Sequence, residues 1–148
     1  DISYAQSNRE RYEGFCQALM DAGKTPNPSL CLTTPLGIDS YREEIDSFLS
    51  SLSRMPDAFV CASDYVACIL MQLLEKRGLR VPEDVAVSGF DNNIEDLLAE
   101  NLTTVQVFNE ELGSRLALQI LYRIKYPHTP HEVTYLESKV LYRASTGD

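Results

Sequence analysis

Long apolar runs, basic residues and histidines are scarce in this chain of 148 residues, and each scarcity removes a class of function. No stretch approaches the roughly 18 uncharged apolar residues of a membrane helix, so no membrane span is expected. The opening residues Asp1-Ile2-Ser3-Tyr4-Ala5-Gln6 carry neither a basic region nor an apolar core, and secretion from this segment is not expected either. Lys and Arg number 13 against 22 Asp and Glu, a net charge of −9 that repels phosphate polyanions. As it stands, the chain is a poor nucleic-acid binder. Four cysteines, Cys16, Cys31, Cys61 and Cys68, lie scattered in apolar runs without a CxxC or Cys/His cluster. They are too few for a disulfide scaffold and read as reduced, buried small hydrophobes of a cytoplasmic protein. No GxSxG elbow, Walker A loop, GxGxxG turn or HExxH helix occurs, so the common hydrolase, nucleotide and zinc-protease signatures are missing. The two histidines, His128 and His131, stand three apart in a Pro-flanked loop beside Glu132. That triplet has metal-ligand chemistry, yet it reads as a solvent-exposed turn, and neither metal nor cofactor is expected.

What is present suits one soluble globular domain: 44% apolar residues, 24% charged, seven Gly and seven Pro. Tyr12, Phe15, Cys16, Leu19 and Met20 make one stripe of a helix over 8–22, stopped by Gly23. The piece Ser29-Leu30-Cys31-Leu32-Thr33 reads as a short strand. Ser40 with Glu43 forms a capping-box pattern ahead of a helix over 41–53. Ala58-Phe59-Val60-Cys61-Ala62 is apolar without alternation, as in a strand buried on both faces of a parallel sheet. Ser63 and Asp64 can cap a helix reaching Arg77, in which every residue from Val66 to Leu74 except Gln72 is apolar. A helix on a sheet buries one stripe, so the opposite face is either a subunit interface or is covered by a neighbouring helix of the same chain. A second buried strand, Val85 to Phe90, exits sharply through Asp91-Asn92-Asn93. Leu102 to Phe108 is β-rich, Asn109 can cap a helix over 110–125, and Val133 to Tyr142 reads as a final strand. Alternating strands and helices of this length predict an α/β fold with a doubly wound parallel sheet.

Asp64 and Asp91 each follow the C-terminal end of a strand, the edge where open α/β sheets bind ligands. With no nucleophile or base beside them, hydrogen bonding is a more economical role than acid–base catalysis. Helix capping alone would explain Asp64, and for Asp91 ligand contact and turn formation are equal readings.

Several segments carry a family resemblance: Asn8 to Phe15, Pro56-Asp57-Ala58-Phe59 through Ser63-Asp64, Gly78 to Val87, Gly89-Phe90-Asp91-Asn92, Leu102-Thr103-Thr104-Val105, Glu111-Leu112-Gly113 and Arg143-Ala144-Ser145-Thr146. In order and spacing, over nearly the whole chain, they resemble the C-terminal part of LacI/GalR-family transcriptional regulators. That family joins a helix-turn-helix headpiece to a two-lobed sensor similar to type I periplasmic sugar-binding proteins. The resemblance implies that 1–102 form the C-terminal lobe, 103–126 cross to a first lobe that has no counterpart here, and 127–148 return. Without that lobe, the crossover is expected to be disordered, displaced or exchanged between two copies.

The resemblance also implies a small-molecule effector, a sugar or related metabolite, held by Arg11 and Asp91, with Ser63 and Ser7 as further contacts. Arg9 reads as an exposed helix charge. It implies a homodimer through the helix after Asp64 and the segment after Asn92, with Cys68, Leu97 and Leu98 at the interface. Operator DNA would be reached only through a DNA-binding domain outside this chain. The rival readings are an extracytoplasmic sugar-binding protein of the same fold and, less economically, an α/β enzyme using Asp91.

Overall fold

The computed structural model describes residues 5–34, 40–93 and 97–147, the side chains at 97 and 98 excepted, and strands and helices alternate from residue 58 onward. Helix α1 spans Gln6–Asp21, α2 Tyr41–Ser51, α3 Asp64–Lys76, α4 Leu97–Glu100 and α5 Asn109–Lys125. The strands are β1, Ala58–Val60; β2, Ala86–Ser88; β3, Thr104–Gln106; and β4, Lys139–Leu141. β1 and β2 pair in parallel with Phe59 opposite Val87. Parallel bridges Ser88–Thr103 and Asp91–Gln106 extend the ladder to β3, and β4 joins β3 antiparallel, with Val105 opposite Val140. The α/β class therefore holds with a parallel centre, and the last strand enters as an antiparallel edge.

The core lies between β1–β2 and the helices α2 and α3. Ile45 and Leu49 of α2 meet Ala67, Ile69, Leu70, Leu73 and Leu74 of α3, over Val85, Val87 and Leu102. Arg77 locks the two helices together. Its guanidinium donates to Asp46 Oδ1 at 2.6 Å, to the Asp46 carbonyl at 3.1 Å and to Ser50 Oγ at 3.0 Å. α2 and α4 both pack on α3, so the same chain covers part of its all-round apolar surface. Tyr65 stays exposed, and Val66 and Met71 are half-buried.

Four local expectations change. Residues 29–33 do not form a strand: Asn27 Oδ1 accepts from the Ser29 amide at 3.1 Å and its hydroxyl at 2.8 Å. With Pro28 fixing φ, this side-chain cap turns Pro28–Leu30 into a short 3-10 helix instead. Ser40 does precede α2, but its hydroxyl donates to Glu44 rather than working with Glu43. Asn109 is the first residue of α5 and Phe108 the cap position, with no side-chain cap bond. The final strand also contracts to Lys139–Leu141, leaving Val133 and Tyr135 exposed.

Four free cysteines are present, and only Cys68 is buried; Cys31 and Cys61 are half-buried, as is Cys16, whose helix α1 contributes no buried residue to the core.

Candidate functional site

The C-terminal ends of β1 and β2 deliver two turns to the same place. After β1, Ser63 caps α3, its Oγ accepting from the Val66 amide at 3.4 Å. That frees Asp64 from capping. It is 1% exposed, accepts from Thr104 Oγ1 at 2.6 Å, and its backbone amide donates to the Phe90 carbonyl at 2.8 Å. Gly89 is required by this packing, because a Cβ there would lie 2.2 Å from Asp64 Oδ1 and 2.9 Å from Leu102 Cδ2. A glycine in the strand exit thus admits a buried carboxylate beneath the turn.

The turn itself is strained. Asp91 has φ 109° and Asn92 φ 50°, both in the region that favours glycine. Backbone bonds hold it to β3: the Asp91 amide donates to the Val105 carbonyl at 3.0 Å, and the Val107 amide to the Asp91 carbonyl at 3.5 Å.

Arg11 reaches this turn from α1. Its guanidinium donates to the Ala62 carbonyl at 2.6 Å and to Asp91 Oδ1 at 3.4 Å, and it stacks 3.7 Å from the centre of the Phe90 ring. Stacking and the carbonyl fix the plane of the fork, while the long contact to Asp91 leaves carboxylate lone pairs and further N–H donors uncommitted. The two side chains are 28% and 27% exposed, so both remain reachable. Burial raises the Asp91 carboxyl above its ordinary pKa; Arg11 pulls it back down, and nearby Asp64 pushes it up. A cation fork beside an acceptor over an aromatic ring suits a small polar ligand bearing hydroxyls or a carboxylate.

The other expected residues scatter. Ser7 is exposed on α1 one turn before Arg11, on the same helix face. Ser63 is engaged as the α3 cap. Cys68, expected at a subunit interface, is 6% exposed within the single chain, since α4 already packs on α3. Leu97 and Leu98 open α4, and their side chains lie outside the described residues. His128 and His131 are exposed in the loop after α5, and among the described residues no group of three His, Cys, Asp or Glu side chains could hold a metal ion. Phe90 was legible only as a neighbour of Asp91. Arg143, which bonds the side chain of Asn92 at 2.8 Å, carried no signal beyond its motif.

Residues 3–146 match the periplasmic binding protein-like domain family. The chain is 28% identical over 141 residues to the HTH-type transcriptional repressor PurR of Photobacterium profundum, covering 95% of this chain and 42% of the relative. It is 30% identical over 138 residues to the ribose operon repressor of Haemophilus influenzae, covering 93% and 41%. Among solved structures, a complex of the transcriptional regulator CelR with cellobiose superposes at TM-score 0.79 with 30% identity, covering 92% of this chain and 42% of that one. A LacI-family regulator from Enterococcus faecium with bound ribose superposes at 0.76 with 28% identity, covering 94% and 51%. The chain thus spans less than half the length of both repressors and about half that of the ribose complex.

Proposed function

This chain belongs to the periplasmic binding protein-like family and is homologous to LacI-family repressors, and from that premise we propose that it is the effector-sensing and dimerising half of a bacterial transcriptional regulator. Its effector is a sugar or a related small metabolite. The observation that carries this reading is the convergence of Arg11, Asp91 and Phe90 at the C-terminal edge of the parallel strands. Arg11 donates to effector hydroxyls or a carboxylate, and Asp91 accepts from hydroxyls. Ser7, on the same face of α1, and Ser63 are the outer contacts. The regulators with cellobiose and with ribose support a carbohydrate as the occupant.

The exposed apolar surface of α5 supports the division of the chain. Leu112, Leu116, Ile120 and Ile124 line one side of it, between 48% and 73% exposed, and no residue of the helix is buried. Residues 103–126 cross to a first lobe outside this chain and 127–148 return, so the effector closes between two lobes. Occupancy favours one lobe arrangement and, through differential affinity, one state of the dimer. The dimer forms through the α3–α4 side with Leu97 and Leu98, and Cys68 is withdrawn from that contact because it is buried. Operator DNA is read by a separate domain in the cytoplasm, and no catalytic step is involved; among the described residues no helix is long and apolar enough to cross a membrane.

Calorimetry on the full-length regulator with ribose and cellobiose tests this reading. Saturable binding is expected for one of them, weakened about 10- to 100-fold by Asp91→Asn, which removes a charge-assisted acceptor. Undiminished binding in that variant, or equally tight binding by the 148-residue chain alone, would refute it.

A further inference from the structure

We infer that Arg143 and Asn92 form a positioning relay that sets the aim of the Asp91 carboxylate and ties it to the C-terminal end of α4. The inference rests on the reading of Asp91 as an effector contact. Arg143 follows β4 and is anchored by its backbone amide, which donates to Thr103 Oγ1 at 2.8 Å. Its guanidinium has three acceptors. Two are the carbonyls of Ala99 and Leu102, each at 3.0 Å, at the end of α4; the third is Asn92 Oδ1 at 2.8 Å.

A guanidinium only donates, so the Asn92 oxygen must face Arg143, and this orients the whole chain of amides. Asn92 Nδ2 is left to donate to Gln106 Oε1 at 2.5 Å, and Gln106 Nε2 donates to the Val107 carbonyl at 2.9 Å. The Val107 amide closes the ring on the Asp91 carbonyl. The relay therefore grips both residues of a turn whose φ values of 109° and 50° would otherwise relax. Where that turn sits decides whether the carboxylate faces Arg11 and Phe90. A ligand that pulls on Asp91 pulls on Asn92 and, through Arg143, on the two carbonyls that end α4.

Lysine is a poor replacement for the fork, because its donors all leave one nitrogen, whereas Arg143 reaches the two carbonyls from Nη1 and Asn92 from Nη2. The test is a titration of the Asp91 carboxyl by NMR in the full-length regulator, with amide exchange on the same samples. In Arg143→Lys the carboxyl leaves its half-buried place between Arg11 and Asp64, so its midpoint falls toward the ordinary carboxylate range. The Asp91 and Val107 amides exchange at least about tenfold faster, while the Leu74 amide of α3 keeps its protection and reports an intact fold. Asn92→Ala loses both the Arg143 contact and the donor to Gln106 without adding a charge beside Asp91, and gives a shift in the same direction. For the link to α4, Asp91→Asn is expected to alter exchange of the Leu102 amide, which donates to the Ala99 carbonyl at 3.1 Å, and Asn92→Ala is expected to abolish that response. An Asp91 midpoint unchanged in Arg143→Lys overturns the positioning role. A Leu102 response that survives Asn92→Ala overturns the link to α4. Neither readout needs a ligand, so if ribose and cellobiose both fail to bind, the functional reading falls while the relay is still decided.

Discussion

Helices α3 and α5 look alike in sequence, both rich in Leu and Ile, and the chain treats them oppositely. α3 buries Asp64, Ala67, Cys68, Ile69, Leu70, Leu73 and Leu74; α5, four residues longer at 17 against 13, buries none. The difference lies outside either helix. α3 has a strand on one side and α2 and α4 beside it, whereas α5 leaves the sheet after β3 and comes back through 126–138 before β4. Apolar pattern tells which residues seek cover, but only the rest of the fold supplies it.

The largest expected break in this contrast comes from truncating the same side chain in each helix. Leu74→Ala removes a fully buried leucine and should cost about 2–5 kcal/mol in denaturant unfolding. Leu116→Ala, at 61% exposure, should stay within about 0.5 kcal/mol. Equal costs would mean that α5 packs in solution. Next, Gly89→Ala forces a methyl onto Asp64 and Leu102 and should cost about 1–3 kcal/mol, read as a fall in the unfolding midpoint. A neutral substitution would show that the floor of the candidate site yields easily.

Ion pairs give a smaller version of the same contrast. Arg77→Ala severs α2 from α3 at three acceptors and is expected to cost about 1 kcal/mol, its surface position already discounted. Arg115→Ala, which loses only its i,i+4 pair with Glu111 on α5, should cost no more than about 0.5 kcal/mol. Thermal melts of the two variants would separate them. The smallest effect is acidic. Hydrogen bonds from the Arg80 guanidinium and amide lower the Asp84 carboxyl from 3.8 to about 2. Its folded value is depressed, so its contribution is full above the unfolded value and is lost as pH falls through the window from about 4 to about 2. Asp84→Asn should flatten the stability curve within that window and leave it unchanged in shape above.

Much of the fold was readable from local pattern. The helices over 41–51 and 64–76, the parallel pair at 58–60 and 86–88, and the sharp exit at Asp91 follow from periodicity, the Ser63 cap of α3 and a strand-ending glycine. Residues 27–33 misled because apolar content spoke for a strand while Asn27 and Pro28 specified a turn, and a side-chain cap satisfies the backbone more cheaply than an absent neighbour strand. How far α3 is buried could not be read, since it depends on where α2 and α4 come to rest. At the candidate site, Asp91 was legible from its place after a strand and Arg11 only through family resemblance. Arg143 was not, because its acceptors are carbonyls and an amide 41 to 51 residues away, which no local pattern encodes.

Ser145 shows what this connectivity means for the order of events during synthesis. Its hydroxyl donates to the Val87 carbonyl at 2.6 Å and accepts from the Thr103 amide at 2.8 Å, both beneath the sheet's centre. Everything from β3 to β4 must therefore emerge before the middle of the sheet can be sealed by a residue made later still. The excursion through α5 behaves as a loop closed at its root. Closing a flexible loop twice as long would cost only about 0.6 kcal/mol more, so the lobe can tolerate a large passenger there as long as Ser145 returns to its place.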